Sequence, residues 1–369
     1  MHLKKFAQIC WPLSLNKVQA ILFGILASGF FFLDTGDHRN IFYGFLLISA
    51  FSFKLPNTHD FLLKLVVVFL AINLISVTWS TNGDPEEYWR AIKVAPLIFM
   101  ALLACQTIKI EKYLACYVYS AAITALILII SNYSEIWGQY VLGTEGVWRL
   151  TAYGRGANEN IAGVLYAVAA LILLHLKLPL RGLCLCLVMS VLFLTLSRGA
   201  ILAFVLSVGA VALISHKRIL FAFIPLITLP IFLPNIFSYM INRGTTGRSE
   251  IWSQALDYFM QSPIIGHGAA NALQYEVTDQ GRVYNHAHNI YLATLNDTGL
   301  VGLIALLSII TLMLVRSYMT NNLALLSIIL FGCIFGLFDF GGVYTSLGAE
   351  WVVFWFPAFY LISKKNSDL

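Results

Sequence analysis

Charge is what this sequence has least of. Only 11% of its 369 residues are Asp, Glu, Lys or Arg, against about 25% in soluble globular proteins. So small a supply cannot cover the surface of a soluble enzyme, and the net +5 is too thinly spread to form the basic face that nucleic acid requires. A disordered chain is excluded from the other direction, because 59% of the residues are apolar. Other devices are missing too. There is no P-loop, no Cys/His spacing of the zinc-binding kind, no internal repeat, no low-complexity tract and no long soluble linker. The six cysteines lie in or beside apolar segments, with Cys184 and Cys186 inside one of them, so none is placed to staple an exposed loop. The charged start and first apolar run lack a small-residue cleavage site and read as a first membrane span.

What is present is apolar sequence in membrane-length pieces, with a mean hydropathy of +0.80. Each spanning helix needs about 20 mostly apolar residues. Such stretches run approximately Val18 to Leu33, Ile41 to Phe53, Phe61 to Thr78, Ala91 to Gln106, Tyr113 to Ile130, Ile161 to Leu176, Gly182 to Leu196, Ala200 to Ile214, Ile219 to Phe237, Leu300 to Val315, Leu323 to Leu337 and Leu347 to Ile362. The expectation is an all-α polytopic membrane protein of about 12 transmembrane helices, a single integral-membrane domain over residues 1–369.

Orientation follows from the cations, which are retained on the cytoplasmic side near span ends. One side collects fourteen of them, among them Lys54, Lys64, Lys109, Lys112, Lys177, Arg181, Arg316 and Lys364, against only Asp60, Glu111 and Asp368 as acids. The other holds nine cations and fifteen acids. This alternation implies both termini in the cytoplasm, and it supports the short second span, whose removal would invert every later loop.

Two external segments exceed connector length, 131–160 and 235–298, and long loops between spans are disproportionately functional. In the larger loop, between the ninth and tenth helices, Trp252, Ala255, Leu256, Phe259 and Met260 recur at helical spacing opposite Ser253, Gln254, Asp257 and Gln261. The spacing predicts an amphipathic helix capped by Thr245, Thr246 or Ser249, lying on the membrane surface with its aromatic face down. Arg248 in its first turn, beside free backbone N–H groups, suits a phosphate. A second helical stretch opens at Asn285-His286-Ala287-His288-Asn289 and is broken by Gly299, which places His288 near a helix start at the outer membrane boundary. Finally, Ser197-Arg198-Gly199 interrupts a continuous apolar run, and an ionisable residue at such a break is a functional candidate.

Each signal has a plainer reading. Arg198 can snorkel from a turn, Arg248 can pair with Glu250 or Asp257, and His288, His286 or His267 can be structural hydrogen-bonders. Arg149, Arg155 and Arg282 can be solvated or headgroup-facing cations, and Trp137, Trp148, Trp252 and Trp351 interfacial belt residues. Together they make a chemical proposal: arginines hold the pyrophosphate of a lipid-linked substrate while one histidine takes a proton from an attacking hydroxyl. The external loops carry no DxD-type carboxylate pair, so guanidinium groups can take the place of a metal.

Three motifs then resemble one family. The run Gly247-Arg248-Ser249-Glu250-Ile251-Trp252 with Ser262-Pro263-Ile264-Ile265-Gly266-His267-Gly268, the pattern His288-Asn289, nine residues, Gly299, two residues, Gly302, and the break Leu196-Ser197-Arg198-Gly199 are similar to the O-antigen ligase and polymerase superfamily. The resemblance implies a bacterial inner-membrane glycosyltransferase whose active site faces the periplasm. It would move a glycan from undecaprenyl pyrophosphate to a sugar hydroxyl of lipid A-core, by inversion and with no metal or other cofactor. It makes His288 the general base, gives Arg198 and Arg248 the pyrophosphate with Arg149 and Arg155 as further donor-binding candidates, and leaves Asn289, Trp252 and His286 in support. Around 149–160 the alignment slips by about two residues, which leaves the roles of Arg149, Arg155 and Asn158 open. The closest alternative is a polymerase that uses the same donor. A transporter of lipid-linked sugars fits less well, because the polar residues gather at one face and no repeated halves are visible.

Overall fold

The computed structural model describes residues 15–80, 83–138, 148–215, 247–277 and 281–364. Its helices are α1 (Leu15–Phe32), α2 (Thr35–Ala50), α3 (Phe61–Ser76), α4 (Pro85–Cys105), α5 (Leu114–Ser131), α6 (Glu159–His175), α7 (Arg181–Leu194), α8 (Arg198–Ser215), α9 (Arg248–Gln261), α10 (Ile290–Met319), α11 (Leu323–Phe335) and α12 (Phe356–Ser363). The predicted ninth span, Ile219 to Phe237, lies outside the described residues, as do Thr245 and Thr246. Every other predicted span has a helix at its position. Six helical segments among the described residues are long and apolar enough to cross a membrane alone, and four shorter apolar helices accompany them. The chain is a multi-pass membrane protein.

Polar caps set the helix starts. Asp34, Asp60, Asp84 and Asn158 accept hydrogen bonds from the first free N–H groups of α2, α3, α4 and α6. Asp34 starts α2 at Thr35, six residues before the predicted span, so the helix opens on polar turns. Asp60 also joins helices, because Arg316 Nη1 at the far end of α10 donates to its Oδ2 at 2.9 Å. Lys364 and Glu111 lie 4.0 Å apart. Both pairs unite residues that charge sorting assigns to one side of the membrane.

The middle of the bundle is α6. Every residue from Ala162 to Leu173 is buried, as expected of a helix that is apolar all round, and it packs on α5, α7, α8 and α11. Without a hydrophobic driving force between helices in lipid, close backbone approach has to supply the contact. Gly163 permits it: a Cβ there would meet the Cβ atoms of Ala200 at 2.8 Å and Ser197 at 3.0 Å.

The structure alters several expectations. Helix α9 begins on Gly247 in a left-handed conformation, without a side-chain cap from Ser249. Its packed face is Ile251 and Ala255 with Trp252 and Tyr258, set against Leu273, Tyr275, Val277 and Ala287, while Leu256 and Met260 stay exposed. The reason is an antiparallel hairpin, β1 (Tyr275–Val277) with β2 (Arg282–Tyr284), which offers a protein surface to that face. Trp351 is fully buried and donates from Nε1 to the Thr345 carbonyl, so it belongs to the core and not to an interfacial belt.

Helix α10 carries a break at Gly299 (φ 63°, ψ −160°), where the sequence pattern places it. The twenty residues beyond it rise about 30 Å, the thickness of the hydrocarbon core. Segment 262–268 docks on both sides of the break: Leu300 N–H, just after it, donates to Pro263 O at 2.9 Å, and His267 N–H donates to Asn296 O, just before it, at 2.7 Å. A Cβ on Gly299 would lie 2.3 Å from the Ile264 carbonyl carbon and oxygen. Gly299→Val is therefore expected to destabilise the protein by about 1–3 kcal/mol or more, read as a lower midpoint of thermal unfolding in detergent.

Candidate functional site

At one end of the bundle a single carboxylate gathers the polar residues. Asp339 lies in the turn after α11, and its two oxygens are shared by groups from separate elements. Oδ1 lies 2.9 Å from His288 Nδ1 and accepts from the Phe340 N–H at 2.9 Å. Oδ2 accepts from Asn160 Nδ2 at 2.7 Å, with Arg248 Nη2 at 3.6 Å. The side chain is only 12% exposed, and an unpaired charge so enclosed would be costly. Burial works against ionisation, yet the hydrogen bond and charge of His288, the charge of Arg248 and the Phe340 N–H outweigh it and hold the carboxyl below the ordinary aspartate value.

The backbone aims His288 at this carboxylate. His288 occupies the left-handed region (φ 48°), a strained conformation for a non-glycine residue that is fixed by the contacts around it. Its N–H donates to His286 Nδ1 at 3.3 Å. The following residue, Asn289, caps α10 by accepting from Tyr291 N–H and Leu292 N–H, and its Nδ2 donates to Leu337 O. Ile290 N–H donates to Gly336 O at 2.9 Å. These two links pin the start of α10 to the end of α11, two or three residues before Asp339. Because an ionised carboxylate only accepts, His288 donates from Nδ1, and a neutral ring then carries its lone pair on Nε2.

The His286 ring lies against that of His288, tilted by 57° with the ring centroids 3.9 Å apart. Burial, with the neighbouring His288 adding to it, pushes the His286 imidazole down to about 4, so it is neutral at physiological pH. Trp252 donates from Nε1 to the Ala287 carbonyl at 3.1 Å and so fastens α9 to the histidine segment. Arg248, the first residue of α9, is thereby brought to Asp339.

Arg149 and Arg198 border the same cluster from the other side. Arg149 donates from Nε to Thr195 O at 3.0 Å and from Nη2 to Asn160 Oδ1 at 3.1 Å, and it pairs with Glu159 at 3.5 Å. Its side chain is 12% exposed, so it is a structural guanidinium and not a solvated one. Arg198 begins α8 two residues after Leu196, another left-handed residue (φ 48°). Its neighbours make the connection: Ser197 Oγ donates to Asn160 Oδ1, and Gly199 packs against Phe338, the residue before Asp339. Asn158 caps α6.

Arg155 goes elsewhere. It donates from Nε to His38 Nδ1 at 3.2 Å and faces Glu350, a grouping distinct from the one around Asp339. Its guanidinium is half-buried among these partners.

Of the residues singled out from the sequence, the structure brings His288 and Arg248 to this carboxylate and sets Arg198 at the neighbouring start of α8; Asp339 and Asn160 are not among those singled out. One signal for Asp339 exists: it is the sole acid between Leu323 and Ala349, inside an apolar, glycine-bearing connector.

Fold and site define a multi-pass membrane protein with a histidine–carboxylate pair flanked by guanidinium groups at one end of its helix bundle. Residues 182–307 match the family model for O-antigen ligase. The chain is also 26% identical over 361 aligned residues, 90% of this chain and 86% of the relative, to a protein of Pseudomonas aeruginosa named O-antigen ligase. Residues 182–307 thus carry the likeness to an O-antigen ligase domain, and the chain as a whole is similar to that relative.

The lowered value of Asp339 has a sign. The stability that its ionised form contributes is complete above the ordinary aspartate range and disappears as pH falls through the depressed value. Asp339→Asn is thus expected to lower stability by about 1–3 kcal/mol at neutral pH. Thermal unfolding across a pH series should show that difference narrowing below about pH 4.

Proposed function

We propose that the chain is an inner-membrane glycosyltransferase that moves a glycan from undecaprenyl pyrophosphate to a sugar hydroxyl of lipid A-core, on the periplasmic face, and so completes lipopolysaccharide. The observation that carries this reading is the Asp339–His288 pair, 2.9 Å apart, with Arg248 against the other carboxylate oxygen. Asp339 holds the imidazole in the tautomer whose Nε2 accepts a proton. His288 takes the proton of the acceptor hydroxyl as that oxygen bonds to the anomeric carbon. The bond from that carbon to the pyrophosphate oxygen breaks, and the pyrophosphate departs with the electron pair. Attack opposite the leaving group inverts the anomeric centre.

Arg248 and Arg198, with Arg149 behind them, stabilise the charge that develops on the pyrophosphate, so the reaction runs without a metal. Arg248 also opens α9, and the N-terminus of a helix favours an anion. Arg155, held by His38, has no part in this step. The excess of acids over cations on the outer side supports a periplasmic site with both termini in the cytoplasm.

Purified protein given lipid-linked glycan and lipid A-core should transfer the glycan, and His288→Ala should cut turnover by about 10²–10⁴ while leaving the fold intact. Full turnover in that variant would remove the base assignment. Gel profiles of lipopolysaccharide from a deletion strain separate this reading from polymerisation. Bare core with persisting long lipid-linked glycan is the expected result, whereas core bearing a single repeat would mean a polymerase.

A further inference from the structure

Asn160 lies outside the stretch that matches the family and carries none of the charge that makes a residue conspicuous. It is nevertheless the point where three separate segments meet. Its Oδ1 accepts from Arg149 Nη2 and from Ser197 Oγ, each at 3.1 Å, and its Nδ2 donates to Asp339 Oδ2 at 2.7 Å. The amide orientation is forced by chemistry. A guanidinium cannot accept and a carboxylate cannot donate, so oxygen must face Arg149 and nitrogen must face Asp339.

Helix geometry holds the side chain there. Asn160 follows the α6 cap, with its own N–H bonded to Asn158 Oδ1 at 2.9 Å. One turn further, Gly163 lets α8 approach closely enough to bring Ser197 within reach. The charged groups around the pair are His288 and His286 from the segment before α10, Arg248 from α9, Arg149 and Glu159 beside the α6 start, and Arg198 at the start of α8.

We propose that Asn160 is a positioning residue for the transfer reaction: by donating to Asp339 Oδ2 it fixes the rotation of that carboxylate, so that Oδ1 stays on His288 Nδ1. The inference rests on the reading of His288 as the base. Two consequences follow from the distances. With Oδ2 engaged by the amide at 2.7 Å, Arg248 sits at 3.6 Å from the same oxygen, outside hydrogen-bond length. The same amide ties this setting to Arg149 and, through Ser197, to the break that carries Arg198. The carboxylate that orients the base and the guanidinium groups beside it thereby share one reference point.

Asn160→Asp is the discriminating variant. It is nearly isosteric and keeps an acceptor for Arg149 and Ser197, but it replaces the donor facing Asp339 with a second carboxylate. If Asn160 only ties segments together, this change lowers stability but leaves kcat and the His288 tautomer of the folded protein unchanged. If it positions Asp339, the carboxylate rotates away and His288 loses its partner.

At neutral pH kcat is expected to fall about 100-fold with the KM for the lipid-linked donor little changed, and ¹⁵N-histidine NMR of the detergent-solubilised protein should show His288 leaving the Nδ1–H tautomer. Asn160→Ala, which removes the donor without adding charge, should move the same NMR signal and keeps the test open if the aspartate variant fails to fold. Wild-type kcat and tautomer in either folded variant would overturn the proposal. A tautomer shift without loss of turnover, together with a fully active His288→Ala, would instead leave the placement of Asn160 standing and sink the reading of His288 as base.

Discussion

The structure of the site depends on one enclosed carboxylate and the donors that make its charge tolerable. Asp339 is turned from water, and its negative charge survives there because His288, Arg248, Asn160 and the Phe340 N–H converge on its two oxygens. Three donors, from the segment before α10, the start of α6 and the turn after α11, are joined by the Arg248 charge from the first turn of α9. The carboxylate therefore fastens four parts of the chain at one end of the bundle. Leaving any donor behind without it would expose that group to the cost of an unmade hydrogen bond in a low-dielectric setting.

The bundle delivers these pieces by ordinary membrane-protein means. Helix α6, apolar on every side, is enclosed by α5, α7, α8 and α11, and its glycine contact with α8 sets the spacing at the end where the polar residues lie. Backbone hydrogen bonds from the start of α10 to the end of α11 hold His288 near Asp339 before any side chain is counted. Outside the membrane-length helices, the hairpin and α9 form a small second core that seats Trp252 on the histidine segment. An imidazole held by a fixed carboxylate, with cations alongside, is a preorganised arrangement, which is what the proposed transfer reaction requires.

How much of this the sequence discloses depends on the range of the interaction. Membrane helices are legible because their signal is local and strong, and the α10 break is legible in Gly299. Arg198, Arg248 and His288 stand out because ionisable residues are scarce and sit beside turn residues. Asp339 and Asn160 do not, since their meaning lies in contacts with residues 51 and 179 positions away. The α9 periodicity predicts a helix but not its buried face. Ile251 and Ala255 face inward because the hairpin lies against them, and strands of three residues are too short to announce themselves by alternation. Arg155 resembles the other external arginines in sequence, and only the fold sends it to His38.

The central claim is that His288 and Asp339 act as one unit in glycan transfer. A double-mutant cycle on turnover tests it directly, with His288→Ala, Asp339→Asn and the combined variant assayed on the same lipid-linked donor and core acceptor. The account predicts strong non-additivity: once His288 is gone, replacing Asp339 costs little more, because the carboxylate has no base left to orient. Independent, multiplying losses would contradict it, since they would mean that the 2.9 Å contact has no part in the chemistry.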